Sequence, residues 1–272
     1  MDSDQRRKVL VTGATDGIGR ETALELARKG FHVIIHGRRS ERLAHTKALI
    51  EGEVTGAIVE TVAADFAVLS QVNAMAKELA ARHDRLEVLV NNAGIYANDP
   101  VLTVNGWEST FGVNHVAPFV LTLALLPLLR NASEARVINV SSVAHTRGRL
   151  EPSTYRSLAG FDPYRSYAQS KLANILFTTE LQRREPTLAV NALHPGVVST
   201  KLLTEGFGMQ GPDSLAAGAA TTVWLASSDE GGRLRGAYCA RSRPTTPSAL
   251  AQDPNAARRL WEDTQAHLKP LL

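Results

Sequence analysis

The chain of 272 residues holds one cysteine, Cys239. A single thiol excludes an intrachain disulfide and a cysteine-built zinc site, so folding needs no oxidising compartment. Charge of one sign is also missing as a block. The net charge is +3, and the basic residues lie scattered, with short pairs at Arg6-Arg7, Arg38-Arg39, Arg183-Arg184 and Arg258-Arg259. Without a lysine/arginine run interleaved with aromatics, no nucleic-acid groove is expected. Long apolar runs are absent too. The longest, "VAPFVLTLALLPLL" at 116–129, contains Pro118 and Pro127 and is short for a bilayer, so it predicts a buried helix. The start, "MDSDQRRKVLVTG", lacks the apolar centre of a signal peptide. Together these features predict a cytoplasmic protein without a membrane anchor. No spacing of histidines and carboxylates suggests a metal site.

What is present is ordinary for a globular protein: 44% hydrophobic and 21% charged residues. Short β-rich runs alternate with helical patterns. "KVLVTG", "FHVIIHG", "EVTGAIVETVAAD", "LEVLVNNAG", "ARVINVSS", "LAVNALHPG" and "GAYCA" read as seven strands. Between them, "GRETALELARKG" shows helical spacing and ends at Gly30, and "SERLAHTKALIEG" begins with Ser40 as an expected N-cap. Further helices are predicted over about 115–130, 163–185, 213–227 and 254–267. This rhythm implies βαβ crossovers, and the nearly all-apolar strands imply helices on both faces. The expected fold is one doubly wound α/β domain of the Rossmann type over residues 1–272, with a mostly or wholly parallel seven-stranded sheet. Two segments break the rhythm, near 145–163 and 199–213, and are expected to cover a substrate.

"TGATDGIG" lies between the first strand and the first helix. Gly13, Gly17 and Gly19, with Thr15, Asp16 and Ile18 among them, suit a turn whose backbone N–H groups approach a phosphate. The second strand ends in "IIHGRRSERL" without the acidic residue that would bind a free ribose 2′-hydroxyl. Arg38 and Arg39 stand there, and a guanidinium can pair a 2′-phosphate. The pattern points to NADP(H).

With "AADF" around Asp65, "NNAG" at 91–94, "FGVNHVAPF" around Asn114, "NVSS" at 139–142, "YAQSK" at 167–171 and "HPG" at 194–196, the chain resembles the short-chain dehydrogenase/reductase family. "SKLANILFTTEL" and "VSSVAH" look closest to the branch of retinol dehydrogenases and the WW-domain oxidoreductase. The resemblance implies a catalytic tetrad of Asn114, Ser142, Tyr167 and Lys171. It further implies that Asp65 and Phe66 meet the adenine. Asn91, Asn92, Ala93 and Gly94 would shape the floor, and Pro195, Gly196, Val198 and Thr200 would border the nicotinamide. It also implies a homodimer or homotetramer through a four-helix contact of the segments at 115–130 and 164–182.

Tyr164 and Tyr167 both precede Lys171. Tyr167 is four residues away, on one face within one turn, whereas Tyr164 lies two turns off. Tyr167 is therefore the expected acid/base, with Lys171 lowering its pKa, and Tyr164 a packing residue. Ser142 and Tyr167 stand 25 positions apart, about twice the spacing common in the family, with "HTRGRLEPSTYRSLAGFD" between them. His145, Phe161, Leu202, Leu203, Phe207 and Met209 are expected to line an apolar pocket for a hydrophobic ketone, aldehyde or secondary alcohol. A protein that only senses NADP(H) is the alternative, though it has no use for the tetrad.

Overall fold

The computed structural model describes residues 6–268. One sheet has the strand order β3-β2-β1-β4-β5-β6-β7-β8. The strands β1 (Lys8–Val11), β2 (His32–Gly37), β3 (Ile58–Ala63), β4 (Val88–Asn91), β5 (Arg136–Val140), β6 (Ala189–His194) and β7 (Tyr238–Ala240) are parallel. The sequence predicts these seven. The eighth, β8 (Arg243–Pro244), pairs antiparallel with β7. Arg241 and Ser242 join the two with φ of 52° and 54°. Hairpins of this kind usually advertise themselves through Asn-Gly or Asp-Gly, which is absent here.

Successive strand residues point to opposite faces, so the sheet carries two cores. Val9 and Val11 of β1 face the first, with Leu26 of α1 (Gly17–Arg28), Leu43 of α2 (Ser40–Glu53) and Val223 of α7 (Leu215–Ser227). Leu10 faces the second, with Leu79 of α3 (Leu69–Arg82), Leu125 of α5 (Ala117–Arg130), Leu176 of α6 (Pro163–Arg184) and Trp261 of α9 (Pro254–Leu268). Two short helices, α4 (Ser109–Phe111) and α8 (Asp229–Arg233), complete the set.

Local signals explain several helix ends. Asp162 accepts a hydrogen bond from Arg165 N at 2.6 Å, and Pro163 opens α6. Gly30, at φ +82°, follows α1. The expected Ser40 cap fails: Arg39 occupies the cap position without a side-chain bond, and Ser40 is already helical.

The helix from Ser109 to Arg130 starts earlier than the sequence suggests and includes a π segment, Gly112–Val116. Its 22 residues and mean hydropathy of 1.7 would suit a bilayer, yet 83% of its apolar window is buried within the fold. It is a core helix. Every residue from Ser166 to Thr178 of α6 is buried in the single chain. Trp261 of α9 stacks on Phe177 at 5.8 Å and meets Phe119 edge-on at 4.7 Å. Trp261 of α9 thus packs over part of α5 and α6.

The segment after β5 is equally tied down. Tyr155, 1% exposed, stacks on Phe111 at 4.2 Å, and Gln169 bonds to Glu151 N and Thr154 Oγ1. It packs into the core, and of 145–163 only Thr146 and Arg147 reach the cleft described next.

Candidate active site

The carboxyl ends of the central strands open into a cleft of about 760 Å³. It lies where the strand order reverses between β1 and β4, the place where open α/β sheets bind ligands.

One side is built from glycines that leave no room for a side chain. Gly13 has φ +66°, and a Cβ there would lie 2.8 Å from Ala93 Cα. A Cβ on Gly19 would lie 2.3 Å from Gly13 O and 2.4 Å from Asn92 Nδ2. Asp16 caps α1, accepting from Gly17 N at 2.8 Å. Thr12 Oγ1 accepts from Asn92 N at 2.9 Å and Ala93 N at 3.0 Å, tying the end of β4 to that of β1. The turn thus presents backbone to the cleft at the start of a helix, which suits a pyrophosphate.

At the far end stand Arg38 and Arg42, exposed and lining the cleft. Among the described residues neither has an ion-pair or side-chain hydrogen-bond partner, so two guanidinia are free for a ribose phosphate. Arg39 does not line the cleft, whereas Arg42 does. The reason is the helix start: with Arg39 at the cap, Arg42 lies in the first turn, four residues from Arg38. The glycine cradle and the two arginines fit a phosphorylated dinucleotide.

Most of the other expected cofactor residues border the cleft. Thr15, Asp16, Gly17, Ile18, Asp65, Phe66, Asn92, Ala93, Gly94, Pro195, Gly196, Val198 and Thr200 all line the cleft. Asn91 does not; its Nδ2 donates to Thr122 Oγ1 and Asn139 Oδ1 in the core.

The tetrad converges midway. Tyr167 and Lys171 are 7% and 3% exposed, and Lys171 Nζ lies 5.5 Å from the phenol ring centre. Ser142 is brought beside Tyr167 despite the long insertion, and both line the cleft. Ser141 points the other way and donates to Lys171 O at 2.6 Å, as alternation along β5 requires. Asn114 sits in the π segment and does not line the cleft. Its Oδ1 accepts from Ile95 N at 2.7 Å, and its Nδ2 donates to Ile95 O and Ser170 Oγ. A Cβ on Gly94 would lie 3.3 Å from Asn114 Oδ1 and 3.5 Å from Lys171 Nζ, so this glycine keeps the space beside both open.

Burial decides the electrostatics. It pushes the Tyr167 phenol up to about 12, opposed by the Ser142 hydrogen bond. The expected lowering by Lys171 does not appear. Burial also brings the Lys171 ammonium down to about 8.

The substrate side is apolar and half open. Leu202, Leu203, Phe207 and Met209 line it as expected. Val101, Leu102, Val143, Tyr164 and Met209, five large apolar or aromatic residues exposed at 41–56%, all border this cleft. Such clustering marks a binding surface for an apolar ligand. Two expectations fail. His145 is 2% exposed, with its ring bonded to Ser142 O at 2.7 Å and Ser248 N at 3.0 Å, so it is a packing residue. Phe161 does not line the cleft.

Sequence reasoning missed His36, Lys201 and Tyr96. His36, held near pKa 4 by burial, accepts from Gly13 N at 3.3 Å and bonds Ala64 O at 3.0 Å. Lys201 pairs with Asp16 at 2.9 Å, linking the segment after β6 to the glycine turn. A histidine inside a strand and a lysine inside a loop carry no local signal of such partners.

The comparisons with known proteins agree with this geometry. The family model described as "short chain dehydrogenase" matches residues 7–210. Retinol dehydrogenase 13 of Mus musculus is 36% identical over 276 residues, covering 95% of this chain and 82% of that protein. A solved protein of Mycobacterium paratuberculosis has a TM-score of 0.81 at 36% identity, covering 97% of this chain and 93% of that one. A short chain dehydrogenase of Escherichia coli complexed with NADPH has a TM-score of 0.73 at 28% identity, covering 89% and 100%. The chain belongs to the short-chain dehydrogenase/reductase family of oxidoreductases, near its retinol dehydrogenase branch.

Proposed function

We propose that the chain is an NADP(H)-dependent oxidoreductase that interconverts a hydrophobic ketone or aldehyde and its alcohol, with Tyr167 as general acid/base. The observation that carries this reading is the convergence of Ser142, Tyr167 and Lys171 in a cleft that has unpaired arginines at its other end. The bound cofactor supplies the hydride for the carbonyl carbon. The chain's residues do the rest.

Arg38 and Arg42 hold the 2′-phosphate, and the turn at Gly13–Gly19 holds the pyrophosphate. Ser142 Oγ donates a hydrogen bond to the substrate oxygen as negative charge grows there. Tyr167 Oη, kept protonated by burial, delivers its proton to that oxygen. Lys171 Nζ, which donates to Val140 O at 3.0 Å, stabilises the resulting phenolate. Asn114 holds Ile95 and Ser170, and so fixes the shape of the space beside Lys171. Oxidation of an alcohol runs these proton steps in reverse. The apolar mouth favours a poorly soluble substrate.

NADPH oxidation by the purified protein, followed across a panel of hydrophobic aldehydes and ketones, tests this. Turnover with NADPH well above that with NADH supports it. Tight NADPH binding with no turnover on any compound favours the sensing alternative.

A further inference from the structure

The reaction needs a carbonyl group beside Tyr167, but the structure also says something about what is attached to that carbonyl. Phe207 follows the π segment Leu202–Gly206 and lines the cleft. Its ring stands edge-on to Tyr167 at 5.2 Å, and edge-on to Tyr164 at 6.2 Å. Tyr96 lies 4.1 Å from Phe207, tilted by 44°, and 5.6 Å from Tyr167, yet does not line the cleft. Tyr96 therefore backs the Phe207 ring.

This backing is tight. A Cβ on Gly206 would lie 3.0 Å from Tyr96 Cβ, so the glycine lets the loop approach. Asn98 Nδ2 donates to Glu205 O at 3.4 Å on the same flank. At the other end of the segment Lys201 pairs with Asp16. The Phe207 ring is thus a supported aromatic surface held directly beside the reacting phenol. An aliphatic side chain would fill an apolar pocket equally well. A braced ring adds stacking, which favours a flat π-system by about 0.5–1.5 kcal/mol beyond area burial.

We propose that Phe207 is a specificity-determining residue and Tyr96 its positioning residue, together selecting carbonyl compounds that carry a planar aromatic ring next to the carbonyl group. This rests on the oxidoreductase reading above.

The test compares acetophenone with methyl cyclohexyl ketone, which match in carbon skeleton. The aryl/cyclohexyl ratio of kcat/KM is measured for the unaltered protein and for Phe207→Leu. Intrinsic reactivity cancels when the two ratios are divided. The ratio should fall about fivefold in Phe207→Leu. Tyr96→Leu should lower it similarly, whereas Tyr96→Phe keeps it. Equilibrium binding of both ketones to the NADP-loaded protein, which needs no turnover, is measured alongside.

An unchanged ratio in Phe207→Leu, or an equal loss for both ketones, overturns the proposal while leaving the oxidoreductase reading intact. A binding preference for acetophenone that vanishes in Phe207→Leu, without turnover of either ketone, supports the aromatic surface and counts against the reductase reading. No binding preference in the unaltered protein overturns the proposal outright.

Discussion

The two sides of the cleft are built on opposite terms. The cofactor side is made of backbone packed so closely that added atoms do not fit, as at Gly13 and Gly19, and of buried supports such as Thr12 and His36. The substrate side is made of apolar side chains left partly in water, from Val101 and Leu102 to Met209. A site that must always hold one ligand can be specified by exclusion. A site that admits a family of apolar molecules is specified by surface, and a few braced rings then sort among them. Two π segments among the described residues adjoin this boundary: one carries Asn114 and the other is followed by Phe207, consistent with the frequent use of such segments at functional sites.

If this contrast holds, substitutions on the cofactor side should be far more damaging than those on the rim. Gly19→Ala forces a carbon against Gly13 O and Asn92. It should weaken NADPH binding about a hundredfold by titration calorimetry, the effect of strong overpacking. Arg38→Ala with Arg42→Ala should weaken NADPH about thirtyfold and leave NADH within twofold, since charge-assisted bonds are lost only for the phosphorylated cofactor. Arg39→Ala, by contrast, should change neither. The pH dependence should separate the proton carriers. Below about pH 8 Lys171 keeps its charge, and above it the charge is lost. kcat/KM for carbonyl reduction should then fall about tenfold per pH unit above that point. Lys171→Arg should remove this limb. The smallest effect is at the latch between the two sides. Asp16 and Lys201 are 45% and 59% exposed, so Lys201→Met should raise the NADPH release rate no more than about threefold in stopped flow.

Much of this was legible in the sequence because the chemistry leaves residue-type signatures. Glycine at 13, 17 and 19 reports a backbone requirement, and Tyr167 with Lys171 reports a helical face. The Asp162-Pro163 start of α6 was legible for the same reason. What stayed hidden depends on tertiary direction. Two basic residues in a row cannot say which enters a cleft; with Arg39 at the helix cap, it is Arg38 and Arg42 that line it. The insertion reads as a cover because it is long and irregular. Only packing shows Tyr155 sinking into the core, His145 bonded to Ser142 and Ser248, and Phe161 outside the cleft. Nothing in "NAARRLWEDTQAHL" announces that Trp261 will cover α5 and α6.

In the proposed mechanism Tyr167 carries the proton while the rest of the cleft holds the cofactor. Tyr167→Phe removes one oxygen and leaves the ring packed against Tyr96 and Phe207. Measured with a ketone that the unaltered protein reduces, this variant should lose about a thousandfold in kcat and keep its NADPH dissociation constant within threefold. A rate near that of the unaltered protein would contradict the account.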